Sequence, residues 1–313
     1  MNCLKEALEQ IKPLKVLVVG DYMLDEYLSG PVERISREAP VPIVNIKTLT
    51  HRAGGAGNAA LCFAALGAKV YCCGTVGNDS MGIAILKILK SKSCNIQHLS
   101  RRDKVDTIVK TRIIGENSRT HRQQLIRLDS EVLPLPLAEL PSLHSFDFIA
   151  LSDYNKGTIS EQTVKILRKS KLPFTADPNR NRPERFYMGA RLVTPNRTEA
   201  KFGKLAENEY DSMGKLLDVS SAFCAWEIIV TLDEDGCYAY NGTDGKHIPT
   251  KIQNICDVTG AGDVFFAVAS MGVMSGLDVF IAAKLANIAA GLKVSRFGTS
   301  PITKAEILEV LNG

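Results

Sequence analysis

The chain has 313 residues, of which 45% are hydrophobic and 23% are charged, and its formal net charge is +4. A chain of this length can bury a full hydrophobic core, and so small a positive charge gives no reason to expect binding to nucleic acid. Because the sequence shows no secretory leader, no apolar run of about 18 residues and no CxxC pair among its eight cysteines, we expect a cytoplasmic protein with free thiols and no membrane span.

Short runs of β-branched residues alternate with helical stretches along the chain. The predicted strands are 16–19, 70–73, 146–151, 174–176, 192–194 and 228–232. The predicted helices are 55–67, 80–91, 158–170, 197–204, 211–223, 262–275, 279–294 and 303–312. Continuous apolar strands that alternate with helices indicate an α/β fold, in which helices cover both faces of a mostly parallel sheet. A turn-rich segment at 231–240 predicts a hairpin.

Segments 28–50 and 105–129 interrupt this alternation, because both are polar and β-like. Their residues alone leave open whether they are solvated loops or edge strands. The chain contains no internal repeat, low-complexity tract or linker. We therefore expect residues 1–313 to form a single domain.

The sequence Asp-Val-Thr-Gly-Ala-Gly-Asp at 257–263 directly precedes the apolar segment 264–269, which is predicted to be a buried helix. Gly260 and Gly262 permit the backbone to turn its N–H groups, including that of Ala261, toward one point. The helix dipole makes this point positive. Such a point attracts anions, and a carboxylate beside it, Asp263, suits the removal of a proton from an attacking hydroxyl group. The alternative is an ordinary helix start with a favourable first-turn charge.

Two further segments place polar groups where parallel sheets bind ligands. Asp21 and Asp25 follow the first predicted strand, and paired carboxylates can accept hydrogen bonds from a polyhydroxylated sugar. Gly54, Gly55 and Asn58 open the predicted helix 55–67, where glycines allow a ligand to approach backbone N–H groups. The alternatives are a surface turn for the aspartates and close helix–sheet packing for the glycines.

The segment Thr-Pro-Asn-Arg-Thr-Glu at 194–199 follows the strand predicted at 192–194. Asn196 and Glu199 offer oxygen donors of the kind that Mg²⁺ prefers, and this ion commonly keeps most of its waters. The same pair, three residues apart, is also a capping box. Both interpretations remain open from the residues alone.

These motifs, in this order, resemble those of the ribokinase-like (PfkB) carbohydrate kinases, and the resemblance extends over about residues 11–303. It implies a ribokinase-like α/β fold with a mostly parallel central sheet, flanked by helices, and a small β-sheet lid formed by 28–50 and 105–129. It also implies a homodimer formed through that lid, with ATP and Mg²⁺ as cofactors. Asp263 would be the catalytic base, and Gly260, Ala261 and Gly262 would surround the transferred phosphate.

The same resemblance implies binding roles for residues of the other motifs. On the sugar side it implies contacts from Asp21, Asp25, Gly54, Gly55 and Asn58. On the nucleotide side it implies contacts from Asn196, Glu199, Thr231, Asp233, Gly236, Gly260, Gly262 and Asn287. Glu199 would act on the metal ion through water.

Segments 16–44, 123–129, 152–157 and 286–299 are similar in particular to the heptose 7-phosphate kinases of lipopolysaccharide precursor synthesis. This similarity implies phosphorylation of D-glycero-D-manno-heptose 7-phosphate at its anomeric hydroxyl, which gives the 1,7-bisphosphate. It also implies that Arg122, Gln124 and Lys156 contact this sugar phosphate. The partners are therefore expected to be small molecules.

A phosphorylated substrate needs a cationic pocket, and arginine and lysine side chains provide one. The candidates are Arg34, Arg37, Arg112, Arg119, Arg122, Arg127 and Lys156. Asn179 stands where the family commonly has a lysine, which leaves another sugar, sugar phosphate or nucleoside open as the substrate. A non-catalytic relative that senses a sugar or nucleotide is the alternative of another class, and the presence of Asp263 argues against it.

Overall fold

The computed structural model of the chain describes residues 2–117, 120–131, 137, 139–204, 209–250 and 255–312. The strands are β1 (Lys15–Gly20), β2 (Tyr22–Ile35), β3 (Pro42–Val44), β4 (Thr48–Gly55), β5 (Lys69–Gly77), β6 (Asn95–Arg102), β7 (Val109–Asn117), β8 (Thr120–Ser130), β9 (Phe148–Ser152), β10 (Phe174–Asp177), β11 (Leu192–Val193), β12 (Glu227–Thr231), β13 (Cys237–Tyr240) and β14 (Gly245–Ile248). The α-helices are α1 (Asn2–Gln10), α2 (Ala56–Ala65), α3 (Ser80–Ser91), α4 (Glu161–Ser170), α5 (Glu209–Phe223), α6 (Ala261–Met274), α7 (Val279–Val294) and α8 (Lys304–Asn312).

Nine strands form a large sheet in the order β14–β13–β12–β11–β10–β9–β1–β5–β6. Neighbouring strands from β12 to β6 are parallel, and only the hairpins that add β13 and β14 are antiparallel. The apolar run of β1 is completely buried, as a parallel strand covered on both faces requires. The predicted α/β fold, its mostly parallel sheet and the hairpin at 231–240 are confirmed.

The core lies on both faces of this sheet, because successive side chains of a strand point to opposite sides. Val16 and Val18 of β1 join the cluster that contains α2, α6 and α7, whereas Leu17 and Val19 join the cluster that contains α4 and α5. Because α2 and α6 pack on the same face, their first turns lie side by side. This packing brings two separate glycine motifs to one place.

A second, five-stranded sheet rises from the carboxyl edge of the first. Strand β2 pairs with β3 and β4 antiparallel and with β7 parallel, and β7 pairs with β8 antiparallel. Only Asp21 separates β2 from β1, and β4 runs directly into α2. The small lid sheet is therefore confirmed, although its strands already begin at Tyr22, before the predicted start at residue 28.

The helix predicted at 197–204 is wrong, because residues 197–201 form turns instead. The Asn196 side chain accepts hydrogen bonds from the N–H groups of Thr198 and Glu199 at 2.9 and 3.0 Å. Lys201 then adopts a positive φ of 52°. Such local side-chain bonds to the backbone compete with helix formation. Helix α1 and strand β6 were not among the elements predicted from the sequence.

All eight cysteines lie within the described ranges as free thiols, and five of them are buried. Among the helices of those ranges, none combines the length and the apolar character needed to cross a membrane.

Candidate active site

The first turns of α2 and α6 meet at the carboxyl edge of the large sheet. Asn58 Nδ2 of α2 donates a hydrogen bond to Asp263 Oδ2 of α6 at 2.6 Å, and both side chains are buried. Gly260, which caps α6, has a φ of 80°, and a Cβ atom on it would lie 2.8 Å from Asn58 Nδ2. Glycine is required at this position both for its backbone conformation and for the close approach of the two helices.

The Asp263 carboxyl group is only 5% exposed, and it also accepts a hydrogen bond from the Tyr154 hydroxyl at 3.2 Å. Burial raises the pKa of Asp263 to about 6, because water no longer stabilises the charged form. The hydrogen bonds from Asn58 and Tyr154 oppose this rise, as does the positive charge of Lys110. A carboxylate with a pKa near neutrality is suited to accept a proton at physiological pH.

The glycines before α2 allow its backbone to pass close to two aspartates. A Cβ atom on Gly54 would lie 2.6 Å from Asp25 Oδ2, and one on Gly55, whose φ is 55°, would lie 2.5 Å from the Asp21 carbonyl oxygen. In the same turn, Asn58 Oδ1 is buried and has no hydrogen-bond partner among the described residues. Buried polar atoms are normally paired, so this acceptor favours a ligand hydroxyl as its donor.

Asp21 is completely buried and binds the loop that follows β9. Its carboxylate accepts hydrogen bonds from the backbone N–H groups of Tyr154, Lys156 and Thr158 at 3.0 to 3.1 Å. This geometry holds Tyr154 beside Asp263. The direct sugar contact predicted for Asp21 stays a prediction.

Strands β2 and β7 of the lid carry a buried ion pair near the same place. Arg112 NH1 lies 2.6 Å from Asp25 Oδ1, and neither side chain is more than 9% exposed. Lys110 lies two residues earlier on β7, and its Nζ atom is 5.4 Å from the centre of the Tyr154 ring. Burial lowers the pKa of Lys110, whereas the charges of Asp25 and Asp129 oppose this fall.

A cavity of about 220 Å³ adjoins Asp263 and the glycine turn of α6. It is lined by Asp153, Tyr154, Asp177, Pro178, Asn179, Thr194, Asn196, Glu199, Thr231, Gly260, Gly262, Asp263 and Phe265. The fold therefore brings the predicted catalytic turn together with Asn196, Glu199 and Thr231, which come from the ends of two neighbouring strands.

Four carboxyl groups line this cavity, and they repel one another. Burial, followed by the charges of Glu199 and Asp263, raises the pKa of Asp177 well above its ordinary value. Burial likewise raises the pKa of Glu199 to about 7, although the Asn196 N–H donates to its Oε2 atom at 2.8 Å. A bound cation would stabilise the charged forms of these groups.

Oxygen donors of this kind fit Mg²⁺, which commonly retains most of its waters. Within the described ranges, no three acidic, histidine or cysteine side chains lie close enough together to hold a metal ion directly. The donor set therefore fits an ion held mainly through water molecules and ligand oxygens.

Three residues predicted to contact nucleotide lie outside the lining of the cavity. Asp233 Oδ2 is 3.1 Å from Arg197 Nε, and Gly236, with a φ of 86°, closes the β12–β13 hairpin. Asn287 Nδ2 donates to the Pro249 carbonyl oxygen at 3.1 Å. Their nucleotide contacts remain predictions.

Four of the seven cations predicted to bind a substrate phosphate already have acidic partners, among them Arg112 with Asp25. Lys156 Nζ is 2.5 Å from Glu131 Oε2, and Arg127 Nε is 2.8 Å from Asp129 Oδ1. On the same lid, Arg122 Nε is 3.0 Å from Glu116 Oε1.

The remaining predicted lid residues have no described contact with the site. Gln124 is exposed on β8, Arg34 and Arg37 lie at and just beyond the far end of β2, and Arg119 falls outside the described residues.

Lys110 and Tyr154 were not identified from the sequence. Tyr154 belongs to the segment 152–157, and its proximity to Asp263 depends on the loop held by Asp21. Lys110 belongs to the β-like segment 105–129, and its direction depends on the pairing of β7 with β2. The residue types alone predict neither the contact of Tyr154 with Asp263 nor that of Lys110 with Tyr154.

The variant Tyr154→Phe is expected to raise the pKa of Asp263 above about 6, because it removes one donor that stabilises the carboxylate. Titration of the Asp263 carboxyl carbon by ¹³C NMR measures this value. Tyr240→Phe is the matched control, since the Tyr240 hydroxyl bonds to the Gly242 carbonyl oxygen instead. An unchanged Asp263 pKa in Tyr154→Phe would contradict the hydrogen bond.

Comparison with known proteins identifies the family of the chain. A family model described as "pfkB family carbohydrate kinase" matches residues 13–305. The chain is 35% identical over 310 residues to the bifunctional protein HldE of Helicobacter hepaticus and 38% identical over 323 residues to that of Citrobacter koseri. The alignments cover 96% and 99% of this chain, but only 64% and 66% of the lengths of these relatives.

Solved structures share the fold at low sequence identity. Ribokinase of Arabidopsis thaliana, complexed with ribose and ATP, has a TM-score of 0.75 and 20% identity, with 96% of this chain and 100% of that chain covered. Phosphofructokinase-2 of Escherichia coli, in complex with potassium, has a TM-score of 0.75 and 14% identity, with 96% and 99% covered. This chain therefore shares the ribokinase-like α/β architecture with both solved structures.

Proposed function

The chain belongs to the pfkB family of carbohydrate kinases, and from this premise we propose that it transfers the γ-phosphate of ATP to the anomeric hydroxyl of D-glycero-D-manno-heptose 7-phosphate. The proposal takes residues 1–313 as one cytoplasmic kinase domain with the small sheet as its lid. One observation carries it: Asp263 is buried with a pKa of about 6, beside a glycine turn and a cavity. The similarity to proteins named HldE supports the choice of a heptose phosphate.

Asp263 acts as the general base in the proposed reaction. The sugar hydroxyl donates its proton to Asp263 as its oxygen attacks the γ-phosphorus, and the bond to the β-phosphate oxygen of ATP breaks. Asn58 and Tyr154 hold the carboxylate in place. The backbone N–H groups of Gly260 and Gly262 stabilise the negative charge of the transferred group at the positive end of α6. The Ala261 N–H donates to the Val258 carbonyl oxygen at 3.2 Å instead.

The acidic side of the cavity receives the metal–nucleotide complex. When bound, Mg²⁺ neutralises phosphate charge and orients the phosphates. Glu199 and Asp177 line this side of the cavity, and Glu199 would hold the ion through water. Asn196 holds Glu199 through its backbone N–H, while Thr231 lies at the end of the neighbouring strand.

The sugar lies between the lid and the first turn of α2. The unpaired acceptor Asn58 Oδ1 takes a sugar hydroxyl, and Asp25 takes another while Arg112 fixes its orientation. Gly54 and Gly55 let the sugar approach the backbone. Asp21 contributes by holding the loop that carries Tyr154.

Lys110 is the residue we assign to the phosphate already present on the substrate. It projects from the lid toward Tyr154, and partial burial lowers its pKa. Arg127 and Lys156 lie on the neighbouring strand β8 and on the loop after β9. Each has an acidic partner that a phosphate could replace.

The variant Lys110→Met is expected to raise KM for the heptose 7-phosphate about 10- to 100-fold, since a hydrogen bond to a charged group contributes about 1.5–3 kcal/mol. Steady-state kinetics measure this change. The unphosphorylated heptose should show no comparable loss, and Lys87→Met on the exposed face of α3 is the control. Equal losses for both sugars would refute the assignment of Lys110.

The function itself is tested by ADP release with heptose 7-phosphate, ribose, fructose 6-phosphate, adenosine and unphosphorylated heptose as acceptors. We expect strong preference for the heptose phosphate, with the product phosphorylated at the anomeric carbon. Asp263→Asn should lower kcat by at least about 100-fold, the lower range for a general base, without loss of the fold.

Turnover with another acceptor alone would retain the kinase and reject the heptose assignment. Bound ATP without turnover on any acceptor would favour a sugar- or nucleotide-sensing protein. Near-normal turnover by Asp263→Asn would reject Asp263 as the base.

We also propose that two copies of the chain associate through their lids. The lid exposes seven large apolar side chains, each between 38% and 59% exposed: Ile35, Val41, Ile46, Leu49, Leu125, Ile126 and Leu128. An exposed apolar surface of this kind is typical of an interface. The partner is a second copy, because β8 lies at the edge of the small sheet and can face its own equivalent.

The variant Ile126→Lys should shift the protein from dimer to monomer in analytical ultracentrifugation, because the dimer would bury an unpaired charge. Ile83→Lys on α3, where the side chain is 39% exposed, is the control and should leave the mass unchanged. A wild-type chain that sediments as a monomer at all concentrations would exclude this dimer.

A further inference from the structure

Lys293 of α7 is completely buried, yet it makes no ion pair among the described residues. Its Nζ atom donates instead to the carbonyl oxygens of Asp257 and Arg296 at 3.1 and 3.2 Å. Transfer of an ammonium group from water into a protein interior costs free energy, which two backbone carbonyls offset only in part. Burial accordingly lowers the pKa of Lys293, although the negative charge of Asp257 opposes this fall.

The first carbonyl belongs to the loop that forms the glycine turn. Asp257 begins this loop, and its carboxylate accepts the N–H groups of Thr259 and Gly298, each at 2.8 Å. The N–H group of Asp257 in turn donates to the Val294 carbonyl oxygen at the end of α7. The segment that leads into the N-terminus of α6 is therefore tied to the end of α7.

The second carbonyl belongs to the turn that follows α7 and contacts the lid. Arg52 of β4 donates to the Thr299 carbonyl oxygen at 2.5 Å. Gly298 has a φ of 70°, and a Cβ atom on it would lie 2.5 Å from Arg52 NH1. Lys293 thus lies behind the phosphate-facing turn and joins it to the turn that holds the lid.

We infer that the Lys293 ammonium is a built-in cation that fixes the shape of the anion-binding turn at Gly260–Gly262 by bridging the carbonyls of Asp257 and Arg296. The inference rests on the proposed function, since it concerns how the turn stabilises the transferred phosphate. Converging backbone carbonyl oxygens beside a carboxylate charge are the surroundings in which a small monovalent cation would bind. The Lys293 ammonium group occupies this position and cannot dissociate, because it is covalently part of the chain. Lys293 is a positioning residue, because it contacts neither nucleotide nor sugar.

The decisive variant is Lys293→Ala, which removes the cation and leaves room for a small amine. The probe is the affinity for ADP·Mg with aluminium fluoride, a mimic of the transferred phosphate, measured calorimetrically in tetramethylammonium chloride. We expect this affinity to fall at least about tenfold, while affinity for ADP alone is retained, because loss of one oxyanion stabiliser typically costs about 100-fold or more. Ammonium chloride at equal ionic strength should restore it.

Turnover provides the second measurement. In tetramethylammonium chloride, Lys293→Ala should lose kcat with little change in KM for the sugar, and ammonium should recover it. The wild type should respond equally to both salts. Lys284→Ala, on the same helix, is the control and should behave as the wild type.

Unchanged fluoride-complex affinity in Lys293→Ala, or a loss that ammonium does not reduce, would overturn the inference. If this variant is unfolded in tetramethylammonium at the assay temperature, thermal unfolding curves started from a lower temperature replace the binding measurement. Ammonium must then raise the thermal midpoint of the variant more than it raises the thermal midpoint of the wild type. Equal shifts would refute the bridge. The binding measurement needs no sugar. A wild type that binds ADP with aluminium fluoride, but turns over no acceptor, therefore refutes the proposed function alone.

Discussion

The hydrogen bond from Asn58 to Asp263 joins the first turns of α2 and α6, and the rest of the site depends on it. It requires two helix starts to approach closely, which Gly260 permits because it carries no Cβ atom. It also requires that the Asp263 carboxylate be buried, which raises its pKa toward neutrality. The close packing of the two helices thus also raises the pKa of the Asp263 carboxyl group.

Charge repulsion is the second constraint on the site. Asp153, Asp177, Glu199 and Asp263 line one cavity, and the pKa values of Asp177, Glu199 and Asp263 lie above their ordinary values because burial disfavours their charged forms. Such an arrangement reduces the stability of the free protein at neutral pH. A cation bound with a polyphosphate would relieve the repulsion, so the electrostatics favour a ligand that carries its own metal ion.

The lid is continuous with the catalytic region rather than an appendage to it. Strand β2 begins immediately after Asp21, which holds the Tyr154 loop, and carries Asp25, which pairs with Arg112. Strand β4 leads into α2, and its residue Arg52 contacts the turn after α7. A displacement of these strands therefore changes the surroundings of Asp263 through direct covalent and hydrogen-bonded connections.

The sequence by itself determined the features that depend on local pattern. The continuous apolar run of β1, the apolar helices α6 and α7 and the glycine turn before Asp263 are local properties, and the predicted α/β fold followed from them. The turn at 197–201 was misread because the Asn196 side chain competes with helical hydrogen bonds, and propensity does not reveal which of the two prevails.

Which polar groups share the site depends on contacts between distant parts of the chain. Tyr154 reaches Asp263 because Asp21 holds its loop, Lys110 reaches Tyr154 because β7 pairs with β2, and Lys293 reaches Asp257 because α7 ends beside the glycine turn. Each contact joins residues that are distant in the chain, and in α7 the apolar pattern gave no sign of a buried ammonium. The physical reason is that burial and partner choice depend on the order of strands and the packing of helices, which a single sequence pattern does not specify.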